Sequence, residues 1–273
     1  MNKVEGFLSS HPFSDTTIRT YLNILTRFSA EVEYPATMTA AELVRWVSKS
    51  EWGNARRCVA IACTKKYLAW AHGQLHPALG AKIKRIRGKV PRTMYRSQVM
   101  ALLASFDTMS TKGARDLAIA SLLLDTGLRE SEICQLQQAY TDTEHRTLQV
   151  LVKGGSWEFA VFSEETAAHI ENWKRFRQRL NPHGFLFVHC KTGEGLTAPG
   201  LYSVVKAWGK KVGFALSPHD FRRTFATLAS EGGAPDRVIM EGGRWKSTQM
   251  VTRYTRALKL ESMRQWLPMK TLK

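Results

Sequence analysis

Apolar residues recur at helical spacing along most of this chain and at strand spacing in one place. Residues 14–33, SDTTIRTYLNILTRFSAEVE, open on a Ser14/Asp15 capping signal and set Ile18, Tyr21, Leu22, Leu25 and Phe28 on one side of a helix. A Thr39 to Glu42 capping box ahead of Leu43, Trp46 and Val47 predicts a second helix. A third spans roughly 54–73, with Val59, Ile61, Cys63, Tyr67, Leu68 and Trp70 as its apolar positions, and a shorter helix is expected after Pro77. Arg56, Arg57, Lys65 and Lys66 lie on the third. Four short helices with basic outer faces make a small bundle that could enter a groove of DNA, although solvated faces would look similar.

Helical spacing resumes after Arg96 in QVMALLASF and again in ARDLAIASLLLDTGLRESEICQL. Leu117, Ile119, Leu122, Leu123 and Leu124 make the first half of the latter nearly all apolar, which predicts a buried helix ending near Thr126 and Gly127. A new helix from Leu128 would put Arg129 and Glu132, three apart, on one face. Period two appears only in TLQVLVKGGSWEFAVF, residues 147–162, read as two strands around a Lys153–Gly154–Gly155 turn. The alternation runs Leu148, Val150, Val152, then Trp157, Phe159, Val161. Helices are expected near 163–180 and 197–212, with His183 and His189 flanking an apolar run between them as loop or strand-end residues. From Ser217 to Thr255, Phe221, Phe225, Leu228, Val238, Ile239 and Met240 read as buried helix positions. The tail spaces Leu260, Met263, Trp266 and Leu267 for an amphipathic helix over 257–267.

Charge changes this picture more than length does. The 273 residues carry a formal net charge of +17, with 44% hydrophobic and 23% charged positions. Such an excess attracts a polyanion and opposes compactness through self-repulsion, which favours nucleic acid over a small acidic ligand. No stretch reaches the run of about 20 apolar residues that spans a bilayer, and MNKVEGFLSS lacks the apolar core of a secretory signal. The expected location is the cytoplasm, in association with the nucleoid. Cys58, Cys63, Cys134 and Cys190 have neither CxxC spacing nor nearby paired histidines, so they read as reduced structural thiols rather than metal ligands. The stretch KIKRIRGKVPRTMYR, residues 82–96, bears Lys82, Lys84, Arg85, Arg87, Lys89, Arg92 and Arg96 and no acidic residue. It reads as a basic interdomain linker over 88–96, laid along a phosphate backbone with contacts that weaken as salt rises, or as a solvated linker.

The chemistry-bearing residues cluster late in the chain. His219 and Arg222, three apart, point the same way on a helix, one able to move protons and the other to grip an anion with a bidentate fork, although His219 reads equally as a helix cap after Pro218. Tyr254 stands in a short polar run where a phenol could serve as nucleophile, or as one more amphipathic surface aromatic. Glu132 could orient Arg129 while that guanidinium reaches outward, and an ordinary surface ion pair reads the same way. Lys153, at the tip of the hairpin, would be a compact mobile proton donor if the hairpin overhangs a phosphate.

Taken together, TGLRESE, the Lys153 hairpin, HDFRRTF and GRWKSTQMVTRY resemble the tyrosine recombinases, the phage-type integrases, in order and spacing across both halves of the chain. The resemblance implies a mainly α fold with a small β-sheet. It implies an N-terminal four-helix core-binding, SAM-like domain over 1–87, the linker over 88–96, and an α+β catalytic domain over 97–273. It assigns Arg129 and Arg222 to the nonbridging phosphate oxygens, Lys153 to the leaving 5′ oxygen, His219 to proton transfer and Tyr254 to nucleophilic attack. Trp245 stands where many relatives have histidine, so an indole N–H replaces a titratable donor. The strand after Lys153, SWEFAVF, lacks the basic residue often found there. A start directly at the four-helix domain suggests the simple Xer or Cre form. The implied reaction exchanges strands between two DNA sites through a 3′-phosphotyrosyl intermediate and a Holliday junction. The covalent bond conserves the phosphodiester energy, so neither metal nor ATP is required. Double-stranded DNA, a homotetramer on paired sites and a C-terminal helix docked on the neighbouring protomer are the implied partners, with no membrane. A type IB topoisomerase-like or telomere-resolving enzyme would share these groups, and an architectural protein would keep the fold without the reaction.

Overall fold

The computed structural model describes residues 3–86, 92–152, 155–180, 184–252 and 254–255. The chain divides into two compact units, Met1–Lys89 and Val90–Lys273. The expected roles of Arg87, Lys89 and Lys153 and the tail helix at 257–267 lie outside the described residues.

In the first unit, α1 (Lys3–Ser9), α2 (Asp15–Glu31), α3 (Ala40–Lys49) and α4 (Asn54–His72) surround one core. The predicted capping box forms at α3: the Thr39 N–H donates to the Glu42 carboxylate at 2.8 Å, and the Glu42 N–H donates to the Thr39 hydroxyl at 3.3 Å. Phe7, Phe28 and Tyr67 meet edge to face at the centre. The bundle differs from the sequence expectation in its fourth member. Pro77–Gly80 makes only a 3-10 turn, because His76 caps it through Nδ1 and its Nε2 lies 2.9 Å from the Pro35 carbonyl, holding the segment to the bundle before a helix can propagate. The fourth helix is instead α1, which buries Val4, Phe7 and Leu8.

The second unit contains α5 (Arg96–Ala104), α6 (Thr111–Thr126), α7 (Glu130–Gln135), a three-stranded antiparallel sheet, then α8 (Glu164–Arg177), α9 (Ala198–Lys211), α10 (Pro218–Glu231) and α11 (Asp236–Gly242). Thus the described chain is mainly helical with one small sheet. The strands β1 (Thr141–Asp142), β2 (Thr147–Leu151) and β3 (Trp157–Val161) lie in sequential order, with Leu148 opposite Ala160 and Gln149 opposite Phe159. This register turns Leu148, Val150 and Ala160 into the core and leaves Trp157, Phe159 and Val161 on the outer face. Period two states which residues share a face, not which face is covered.

Helix α6 is the axis of the unit. Of the apolar run expected to be buried, Leu117, Ile119, Leu122 and Leu123 are buried and Leu124 is half-buried. It also buries a charge. Asp116 accepts from both Nε and a terminal nitrogen of Arg115, at 3.0 and 2.7 Å, from the Lys112 ammonium at 2.6 Å, and from the Trp208 indole at 2.8 Å. Arg115 is equally buried and spends another donor on the Val188 carbonyl. Removing one member of such a set strands the other charge without water. Asp116→Ala is therefore expected to lose about 3–5 kcal/mol, a fall in melting temperature on the order of 10 °C in a unit of this size. Thermal denaturation measures it, and an unchanged transition would mean that Arg115 finds another partner.

Among the described residues, no helix is long and apolar enough to cross a membrane. All four cysteines are free thiols; burial pushes those of Cys63 and Cys134 up to about 12, which leaves both protonated.

Candidate active site

The site is assembled from backbone turns before any side chain acts. Helix α6 ends at Gly127, whose left-handed backbone (φ 56°) lets its N–H reach the Leu123 carbonyl and reverses the chain into α7. A Cβ there would approach the Phe225 ring to 2.8 Å, so glycine serves both conformation and packing. The reversal places Arg129 at the N-cap of α7 rather than on its face. Glu132 then acts as the reciprocal cap. Its carboxylate, 3% exposed, accepts from the Arg129 backbone N–H at 2.8 Å and from the Arg129 guanidinium, whose side chain remains 43% exposed. The pairing expected from sequence forms, in different local geometry.

Helix α10 starts at Pro218 behind Ser217, with the buried Asp220 receiving the Ser217 N–H at 2.8 Å and its hydroxyl at 2.7 Å. That cap fixes the first turn, which carries His219, and the second, which carries Arg222. Arg222 is buried, and its two terminal nitrogens donate to the carbonyls of Gly127 and Gly243. One guanidinium thus ties the turn after α6 to the turn after α11. Its carbon lies 4.5 Å from the centre of the Trp245 ring, a cation–π contact. Burial pulls the Arg222 guanidinium down to about 10; the neighbouring Arg129 adds to this, Arg244 adds less, and Glu132 opposes it. The group stays charged at neutral pH in a setting that disfavours its charge.

After α11 the chain passes Arg244 and Trp245, and residues 248–252 and 254–255 are helical. Gly243 makes room for the Trp245 ring, which a Cβ at that position would overlap at 2.2 Å. Val251 and Thr255 are buried, anchoring the segment that carries Tyr254. The Tyr254 ring packs 5.7 Å from Trp245 and 6.4 Å, edge on, from His219. Tyr254 is 5% exposed. Arg129, His219, Arg222, Trp245 and Tyr254, drawn from well-separated stretches of chain, thereby meet at one place. The exception among the apolar positions expected here is Val238, 56% exposed, because α11 turns only Ile239 fully inward.

The basic positions nominated for DNA fare unequally. Arg57 donates to the Ser50 carbonyl at 2.8 Å and Lys65 to that of Ala81 at 3.2 Å, so both hold their own unit together. Arg56 is exposed, bonded to Asn23 and stacked over Trp52, and Lys66 lies over the Phe13 ring. Lys84 and Arg85 are exposed. Arg92 pairs with Asp220 at 2.6 Å, and the Met94 N–H donates to the Thr224 hydroxyl at 2.9 Å, so the residues entering the second unit are fastened to α10.

Sequence reasoning passed over Asp220 and Arg244. The first is legible in retrospect, since Ser217-Pro218-His219-Asp220 is a capping box with proline at its first helical position. Arg244 carries no such signal.

A solved structure of the XerH site-specific recombinase, bound to a palindromic difH substrate in a post-cleavage complex, shares this fold with a TM-score of 0.75 at 18% identity. The match covers 91% of this chain and 79% of that one. Tyrosine recombinase XerA of Pyrococcus horikoshii is 28% identical over 246 residues, covering 89% of this chain and 84% of the relative. Tyrosine recombinase XerC of Corynebacterium efficiens is 29% identical over 269 residues, covering 93% and 86%. Residues 92–261 match the phage integrase family. The chain belongs to that family, the tyrosine recombinases.

Proposed function

We propose that this chain is a site-specific recombinase that cleaves and rejoins duplex DNA with Tyr254 as nucleophile. The observation that carries the reading is the convergence of two arginines, a histidine, an indole and a buried-anchored tyrosine on one point. A phenol with a pKa of about 10 is a weak nucleophile at neutral pH, so the site must accept its proton and stabilise the charge that builds on phosphorus. Arg129 and Arg222 supply fixed charge to the nonbridging oxygens, and the Trp245 indole N–H is a further donor. Tyr254 Oη bonds to phosphorus as the 5′ oxygen departs; His219 handles proton transfer and Lys153 protonates the leaving oxygen. Reversal by a 5′ hydroxyl from a second site exchanges strands through a Holliday junction. Two paired sites call for a tetramer, with the C-terminal segment docked on a neighbour.

DNA as partner is supported by the excess of positive charge and by the DNA-bound state of the structurally similar XerH recombinase. Lys84 and Arg85, exposed and unencumbered by acidic neighbours in sequence, are the proposed phosphate contacts of the first unit. Replacing both with alanine should weaken binding at low salt and flatten the slope of log K against log salt by about 1.8, roughly 0.9 per lost contact. Fluorescence anisotropy across a salt series measures this, and an unchanged slope would remove both from the interface.

The function is tested with duplexes recovered by the wild-type chain from a randomised library, nicked beside the cleavage position so that the released fragment diffuses away. A covalent protein–DNA band on a denaturing gel in EDTA is expected. Binding without any covalent band would instead favour an architectural protein, and sequence-independent plasmid relaxation a topoisomerase.

A further inference from the structure

Arg244 breaks two local preferences at once. Its backbone lies at φ 53°, in the left-handed region that costs any residue with a Cβ and suits glycine. Its side chain is 3% exposed, yet its Nε is buried without a hydrogen-bond partner. Strain and an unsatisfied donor persist where the surroundings over-determine them, and such positions concentrate at working sites.

Its location supplies the reason. One terminal nitrogen donates to the Gly242 carbonyl at 2.9 Å, and the other to the Thr126 carbonyl at 3.0 Å while standing 3.8 Å from the Glu132 carboxylate. Arg222 joins the same two turns one residue further along each, at Gly127 and Gly243. Two guanidinium groups therefore stitch the turn that delivers Arg129 to the turn that delivers Trp245. Glu132, which grips Arg129, has Arg244 on its other side. Three guanidinium groups gather here around the Glu132 carboxylate, with Glu158 acting on Arg244 as well, so positive charge is in excess by one. Burial also lowers the Arg244 pKa, opposed by Glu132.

We infer that Arg244 is a positioning residue for the Tyr254 reaction, holding the Thr126–Gly127 turn and sharing the Glu132 carboxylate so that Arg129 presents its guanidinium to the scissile phosphate. Without it, Glu132 pairs with Arg129 alone and draws that guanidinium inward, and the site loses one of its three guanidinium charges. The inference rests on the roles proposed for Arg129 and Tyr254.

Arg244→Gly is the informative variant, because glycine adopts φ 53° without strain and the fold keeps its turn. On the nicked duplex recovered with wild type, and at a temperature where both proteins are fully folded, R244G should bind within about twofold of wild type while its single-turnover cleavage rate falls on the order of 10- to 100-fold. Glu132→Gln should also slow cleavage, and the double variant should be no slower than the slower single one, since both act through Arg129. Millimolar guanidinium chloride should recover part of the R244G rate and leave wild type unchanged. R244K, which keeps charge but loses the fork, should fall between the two. Cleavage by R244G at the wild-type rate would overturn the inference. So would a loss that adds to that of E132Q or does not respond to guanidinium, either one marking a merely structural latch. Absence of a covalent adduct from wild type would overturn the Tyr254 reading itself, and this inference with it.

Discussion

Tyr254→Phe is expected to bind the selected duplex as wild type does and to form no covalent adduct at all. The expectation separates the ring from its oxygen. The ring packs against Trp245 and stands edge on to His219, within a small apolar cluster that includes Val251 and Ile239. Phenylalanine preserves every one of those contacts, so the segment keeps its anchor and the phosphate-binding groups keep their places. Only the oxygen proposed to bond to phosphorus is removed. The loss should therefore be complete to the limit of detection, with the melting temperature and dissociation constant unchanged. Denaturing gels and a gel-shift titration, run side by side, measure the two halves. Residual adduct in the variant would move the nucleophile elsewhere.

Arg222 should show the second largest effect, and its pH dependence distinguishes charge from geometry. Replacing a preorganised donor to a developing oxyanion typically costs about 3–4 kcal/mol, or roughly 100- to 1000-fold in rate. Arg222→Gln is expected in or above that range, since the residue also joins the turns at Gly127 and Gly243. Arg222→Lys retains a positive charge with one nitrogen where two carbonyls and the proposed phosphate need several donors, so it should recover only part of the rate. The sign of the pH effect follows from burial, which disfavours the charged form. Arg222 is held down to about 10, so wild type keeps this charge through the neutral range and loses it as pH rises through that value. A lysine begins from an ordinary value of about 10.4, well below that of arginine, and the same burial brings its loss of charge to lower pH. Single-turnover cleavage by R222K should accordingly decline on the alkaline side earlier than cleavage by wild type. Superimposable alkaline limbs would show that the charge at this position does not govern the reaction.

Most helices of the fold were legible because their apolar positions repeat over three or more turns. Helix α6 and its stop at Gly127 were plain in LLLDTGL, where an apolar run meets a glycine that can turn left-handed. Helix α1 was not, since seven residues hold too little periodicity to outweigh a terminus. The segment after Pro77 misled for the opposite reason: a proline start signal was present, but His76 closed the turn locally. The outward face of β3, with Phe159 69% exposed, could not be read from alternation alone.

The site was legible to the extent that its chemistry lies in short motifs. HDFRR on one helix and a tyrosine after GRWKS could be found by residue type and spacing. What brings them together could not, because it is backbone: the Gly127 and Gly243 carbonyls that receive Arg222, and the capping of α10 by Asp220. Arg129 illustrates the gap. The rules for helix starts favour Ser, Thr, Asp or Asn at the cap, so an arginine there reads as an ordinary face residue until Glu132 is seen closing on its backbone N–H.

The most direct measurement of the central claim is the identity of the bond in the adduct. Wild-type protein trapped on the nicked duplex would be digested with trypsin and nuclease and the modified peptide sequenced by mass spectrometry. A nucleotide joined through its 3′ phosphate to Tyr254 is expected, with a free 5′ hydroxyl on the released strand. A nucleotide on any other residue, or a bond to the 5′ phosphate, would contradict it.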